Sequence, residues 1–241
     1  MITANPALCQ LRSGGSKLPE PPRDGIVDAE GVSIMMWDSI EKPWQRAFEL
    51  GWEALIHGSI PIGAVIVDES GDVISTGRNR LYEPGALNPK VAHAETEAIH
   101  NLNLTAYPNP RAYTLFACME PCPMCMGTLV MSNLRKLRVA ARDRYCGAVH
   151  YCAEDPYIAA KNMQITFESG VMETVQLTMQ TFFELKMHGG AACRVIQAFK
   201  ATDPTAVRLA YAFFHSGYIE SSVSAVRPFG DVFDEIVRRS A

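Results

Sequence analysis

A chain of 241 residues, 48% hydrophobic and 20% charged, has the size and composition to bury a sizeable core in one compact domain with an extension. Its formal net charge of -4 provides no overall positive field for phosphates, which argues against a large nucleic-acid partner. No stretch approaches the roughly 18 apolar residues of a membrane span, and MITANPALCQLRSGGSKLPEPPRDG lacks a basic start followed by an apolar run, so a cytoplasmic protein is expected.

Residues 1 to about 33, with Gly14-Gly15, Pro19 and Pro21-Pro22, show no apolar period and read as a flexible N-terminal arm. From Asp38 to His57, Trp44, Ala47, Phe48, Gly51, Ala54 and Leu55 recur at helical spacing, and Gly58 stops the helix. The β-branched runs Ile62–Asp68 and Val73–Gly77 flank Ser70-Gly71-Asp72 and predict a hairpin. A Pro/Gly loop from Tyr82 to Pro89 leads to a helix over His93–Leu104. Tyr113–Cys118 reads as a strand, Pro123–Ser132 as a helix opened by proline, and Leu137–Arg142 as a strand. A helix between two strands predicts that they pair in parallel, hence a three-layer α/β/α sandwich. Asp155–Lys161 is a short helix and Val175–Met179 a fifth strand by the same reading. Beyond Thr181 the pattern turns helical over Phe182–Ala201, Pro204–His215 with Asp203 as N-cap, and Phe229–Arg239. The expected organisation is an arm (1–33), a catalytic domain (34–180) and a C-terminal helical extension packed on it (181–241).

Seven cysteines are an odd set in a chain large enough to fold without disulfides, so a Cys-x-x-Cys pair points to metal or redox chemistry. His93-Ala94-Glu95 and Pro121-Cys122-Pro123-Met124-Cys125 together match the H-x-E…P-C-x-x-C signature of zinc deaminases. A catalytic zinc takes three protein ligands and leaves the fourth place to water, and one His with two Cys is that number. Cys122 and Cys125 lie three apart at a predicted helix start, where both sulfurs can face one point and the helix dipole favours the thiolate. His93 opens its own helix and can complete the trio. Glu95, two residues on, is placed near the metal without binding it. There it can take a proton from a metal-activated water and return it to a ring nitrogen and a departing amine.

With these residues the chain resembles the cytidine and deoxycytidylate deaminase superfamily, in the branch of tRNA adenosine deaminases and bacterial guanine deaminases. The resemblance runs from about Trp44 to His150 through PIGAVIVD (61–68), GRNR (77–80), AHAE (92–95), MEPCPMCMG (119–127) and ARDRYCGA (141–148). It implies a five-stranded mixed sheet with zinc held by His93, Cys122 and Cys125 between two helix N-termini. It also implies that Asn79 contacts the base, that the Ala94 backbone lies against the ring, that Ile62 lines the pocket, and that the protein is a homodimer. Asp143 has two readings, a brace for the loop after its strand and a substrate contact.

Where the tRNA-acting branch reads A-R-D-x-K-T-G, Tyr145 stands in place of Lys and Cys146 in place of Thr. With the acidic balance and the C-terminal extension, this favours a small purine or pyrimidine base, nucleoside or related aminated heterocycle, guanine among the candidates. The alternatives are a tRNA-specific adenosine deaminase and a non-catalytic scaffold that uses zinc for folding alone. His57, His100, His150, His188 and His215 have no ligand-like spacing to one another, and Cys9, Cys118, Cys146, Cys152 and Cys193 read as thiols outside the metal site. Arg135, Lys136 and Arg138 form a small basic cluster, read as a solvated face rather than an RNA track.

Overall fold

A computed structural model of the protein describes residues 35–86 and 88–241; the expected arm and Cys9 lie outside the described residues. A 3-10 turn at Trp37–Ser39 leads into α1 (Lys42–Ile56), which has Pro43 in its first turn, where a missing N–H is harmless. The predicted hairpin is β1 (Gly63–Val67) and β2 (Val73–Arg78), antiparallel, with an irregularity between Ile66 and Val67. Then follow α2 (Ala94–His100), β3 (Thr114–Met119), α3 (Pro123–Met131) and β4 (Lys136–Ala141). As expected for strands joined through a helix, β3 and β4 pair in parallel, whereas β1 and β3 are antiparallel. Two short helices, α4 (Tyr151–Glu154) and α5 (Pro156–Ala159), precede β5 (Gln164–Phe167), which runs parallel to β4. The sheet order is β2-β1-β3-β4-β5.

Downstream of β4 the chain departs from two expectations. The expected fifth strand, Val175–Met179, lies inside α6 (Val171–Met187), and the fifth strand is Gln164–Phe167. Val-Gln-Leu-Thr-Met alternates like a strand, but α6 is buried around most of its circumference, and such a helix carries no clean 3.6-residue stripe. The single helix expected over Phe182–Ala201 is broken at residues 188–193. Gly189 and Gly190 there adopt φ of 60° and 85°, the left-handed region that ends helices, before α7 (Arg194–Thr202) begins. α9 (Tyr218–Ser224) is an addition to the expected elements, whereas α8 (Pro204–Ser216) and α10 (Phe229–Ser240) fall where expected. Asp203 caps α8 as predicted, accepting from the Thr205 and Ala206 N–H groups at 2.8 and 3.1 Å; its other carboxylate oxygen accepts from Thr174 Oγ1 at 2.6 Å, tying α8 to α6.

Side chains alternate across the sheet as strand geometry requires. Val65, Val67, Phe116 and Cys118 enter a core shared with α1, α6, α8 and α10, while Ala64, Ile66, Leu115, Ala117, Leu137 and Val139 pack under α2 and α3. These are the three expected layers, a five-stranded mixed sheet between helices. The position 180/181 falls within α6, and the first core is continuous from Trp44 to Val237. Among the described residues no helix is long and apolar enough to cross a membrane.

Candidate active site

Two helix starts meet at the carboxyl end of the sheet. His93 precedes α2 and Cys122 precedes α3, both in extended backbone, and Cys125 lies in the first turn of α3. Cys122 Sγ is 3.7 Å and Cys125 Sγ 3.6 Å from His93 Nδ1, and the sulfurs are 3.6 Å apart. With Zn–S near 2.3 Å and Zn–N near 2.0 Å, a tetrahedral ion separates its ligands by about 3.5–3.8 Å. The trio therefore fits zinc in both donor chemistry and spacing, with no fourth residue in the group among the described residues.

The protons of this cluster point the same way. Cys122 is drawn down to about 4, chiefly by its hydrogen bond with Cys125 and also by His93, while the same contact pushes Cys125 well above the usual thiol range. His93 is raised, first by its hydrogen bond with Cys122. Two sulfurs this close cannot both ionise without a cation, and that cation is what the site is built to take.

Glu95 follows His93 by two residues, is 4% exposed, and is raised to about 6, chiefly by burial; its carboxyl group also bonds Cys125. A carboxyl group that exchanges protons near neutrality beside a metal trio is suited to general acid–base work. Thr96 holds the turn that presents both residues: its hydroxyl accepts from the His93 N–H at 3.1 Å and donates toward the Val91 carbonyl at 2.5 Å.

Asn79, 1% exposed, sits where β2 passes the start of α2. Gly77 permits this approach, since a Cβ there would lie 2.2 Å from the Ala94 carbonyl oxygen. The Arg80 N–H donates to the Ala92 carbonyl at 2.9 Å, and the Asn79 N–H to the Ile62 carbonyl at 2.9 Å. Asn79 Oδ1 accepts from Ser59 Oγ at 2.7 Å and from the Leu81 N–H at 3.0 Å, which leaves the amide N–H groups as the side chain's outward function. Ile62 lies between the two cores, and Ala94 is wholly buried.

Asp143 is placed as a brace. One oxygen accepts from the Tyr145 and Cys146 N–H groups at 2.8 and 3.1 Å, and the other from the Cys146 thiol at 3.1 Å. Glu120, quoted within MEPCPMC but given no role from sequence, fastens this loop to the metal segment by accepting from the Asp143 and Val149 N–H groups at 3.1 and 3.2 Å. Ser59 and Thr96 were also missed, because isolated hydroxyl residues carry no spacing signal.

The remaining expectations sort as follows. Arg135 bonds the Lys161 carbonyl, Lys136 the Ala112 carbonyl, and Arg138 the Glu41 and Glu168 carboxylates, so the small basic cluster is occupied within the protein. No disulfide joins two of the described cysteines. Glu184, His188 and Cys193 bring ligand-type atoms within 4.8 Å of one another, but His188 Nδ1 is hydrogen-bonded to the Glu184 carbonyl oxygen at 2.8 Å, which ties the ring to its own helix.

The chain is similar to several known proteins. The family model of the cytidine and deoxycytidylate deaminase zinc-binding region matches residues 38–141. The tRNA-specific adenosine deaminase of Haemophilus influenzae is 33% identical over 149 residues, 60% of this chain and 83% of that one. The probable cytosine deaminase of Schizosaccharomyces pombe is 31% identical over 93 residues, 39% of this chain and 54% of its own length. A solved structure from work on A-to-I editing by tRNA:A34 deaminases aligns with 52% of this chain and 95% of its own at 26% identity, with a TM-score of 0.45.

Proposed function

Since the chain belongs to the cytidine and deoxycytidylate deaminase family and is a zinc-dependent hydrolytic deaminase, we propose that its substrate is a small aminated heterocycle: a free purine or pyrimidine base, a nucleoside or a relative, guanine among them. The exocyclic C–NH2 and water would become a carbonyl and ammonia. The observation that carries this reading is α6 beside the site. Phe183 rests on Tyr82 at 5.8 Å between ring centroids, and the Glu173 carboxylate accepts from the Arg142 N–H at 3.0 Å. A helix reaching both loops that flank the metal trio favours a small ligand over a polynucleotide.

His93, Cys122 and Cys125 would hold the zinc, which when bound lowers the pKa of water to about 7. Glu95 would accept a proton at its carboxylate and deliver protons to the ring nitrogen and then to the leaving amine. A pKa of about 6 suits both directions of transfer. Asn79 would donate its free amide N–H to a substrate acceptor, while Ala94 and Ile62 would bound the ring. Asp143 would act through the loop it braces. A purely structural zinc site closes with four protein ligands, and this group offers three.

A second reading, adenosine deamination in tRNA, is favoured by the 33% identity to an enzyme of that name. Against it, two arginines beside the site are already paired: Arg78 with Glu53 and Glu83, and Arg80 with Glu83 and Glu97. Ammonia release from zinc-loaded protein across bases, nucleosides and an anticodon stem-loop separates the readings. Conversion of adenosine to inosine in the stem-loop, with every free compound untouched, would replace our proposal with the second one. A cytoplasmic homodimer accords with the family resemblance, and sedimentation at micromolar concentration would test the dimer.

A further inference from the structure

We infer that α6 supplies a substrate-reading edge, in which Gln180 Oε1, with the Glu184 carboxylate one turn further on, accepts N–H donors of the heterocycle. The inference rests on the small-molecule reading above and goes on to say which small molecules.

Gln180 is 6% exposed, and its Oε1 is buried without a hydrogen-bond partner among the described residues. A buried carbonyl left unpaired costs about 1–3 kcal/mol, which a substrate donor would recover once the amide turns toward it. Helical phase directs it. Gln176, Gln180 and Glu184 follow at four-residue steps and form one stripe along α6, with Phe183 at its margin. Gln176 Nε2 donates to the Pro61 carbonyl at 2.9 Å, next to Ile62, whose own carbonyl holds the Asn79 N–H. Phe183 meets Tyr82, whose N–H reaches Ser59 Oγ at 3.3 Å, and that hydroxyl holds Asn79 Oδ1. The stripe thus touches the frame of Asn79 on both sides of Gln180.

The hydrogen-bond senses then select a substrate. Asn79 offers a donor, while Gln180 and Glu184 offer acceptors. The matching heterocycle carries an acceptor on one edge and, besides the amine that leaves, a ring or exocyclic N–H on another. Free bases have such an N–H. Cytidine and adenosine have none on the ring, because glycosylation removes it.

The test compares kcat/KM of zinc-loaded full-length protein on free bases, on their nucleosides and on ring-N-methylated bases. For the wild type, free bases should exceed their N-substituted counterparts by 10-fold or more. Gln180→Met, of similar volume, should lower kcat/KM about 10- to 100-fold on the N–H base and less than about threefold on the methylated one, while thermal stability holds or rises. Should that variant fail to fold, Glu184→Gln, at a half-buried position, is expected to cost the N–H base about 5- to 10-fold and the methylated base nothing. Equal losses on both substrates, or no loss with either variant, would overturn the inference while leaving small-molecule deamination standing. A wild type that deaminates only the RNA stem-loop would remove the underlying reading and the inference with it.

Discussion

Glu95 pairs a functional need with a cost in stability. Its carboxyl group is raised to about 6 by burial, against an ordinary value of 4.5. Below pH 4.5 it is protonated whether the chain is folded or unfolded and favours neither state. As pH rises through 6 the folded protein must bury the charge, and the stability of the metal-free chain falls. Glu95→Gln should therefore stabilise the metal-free protein at pH 7.5 by on the order of 1–2 kcal/mol and by nothing near pH 4, in denaturant titrations of chelated samples. The same variant should keep its zinc and lose about 10²- to 10⁴-fold in kcat, the usual share of a general acid–base group. Cys122→Ser should lose zinc and turnover together, read by metal analysis beside the ammonia assay; zinc retained at the wild-type level would remove Cys122 from the ligand set.

At the scale of elements, the site depends on close approach between segments distant in sequence. The loop from Asp143 to Val149 is held by Glu120, and a Cβ at Gly147 would lie 2.4 Å from both the Asp143 carbonyl oxygen and the Glu120 carboxyl carbon. Gly147→Ala should cost about 1–3 kcal/mol in unfolding free energy through overpacking. It should also lower kcat by shifting the Cys122 segment, because the Ala148 N–H donates to the Pro121 carbonyl at 2.9 Å. Wild-type stability and rate in that variant would show that the loop yields without consequence. The metal-bearing elements were legible because each places its chemistry within four residues, so spacing alone carried the information. Ser59 was not, since it acts on Asn79, which only the folded chain brings near, and neither was Thr96, a lone hydroxyl without a spacing signal.

For the whole molecule, the question is whether the chain after residue 180 is an accessory. We propose the division into an arm, a deaminase domain (34–180) and a helical extension (181–241) as an order along the chain rather than as independent units of stability. Phe229 of α10 stacks on Phe48 of α1 at 5.9 Å and touches Trp37, Trp52 and Phe233. Phe229→Ala should cost about 3–5 kcal/mol in denaturant unfolding, the range for a buried aromatic. A fragment of residues 34–180 should fail to fold cooperatively, because it truncates α6 and exposes the core that α1 and α6 share with α8 and α10; a sharp thermal transition of that fragment would make the extension dispensable.

The reaction class was legible along the chain: three candidate zinc donors and a glutamate placed to carry protons, each pair close in sequence, on a fold whose hairpin, crossover and capped helices follow from local periodicity. The neighbours of α6 emerge only on folding. Val175–Met179 alternates like a strand until burial on nearly every side makes it helix, and long-range packing, which leaves no local trace in sequence, sets α6 beside the Tyr82 and Arg142 segments.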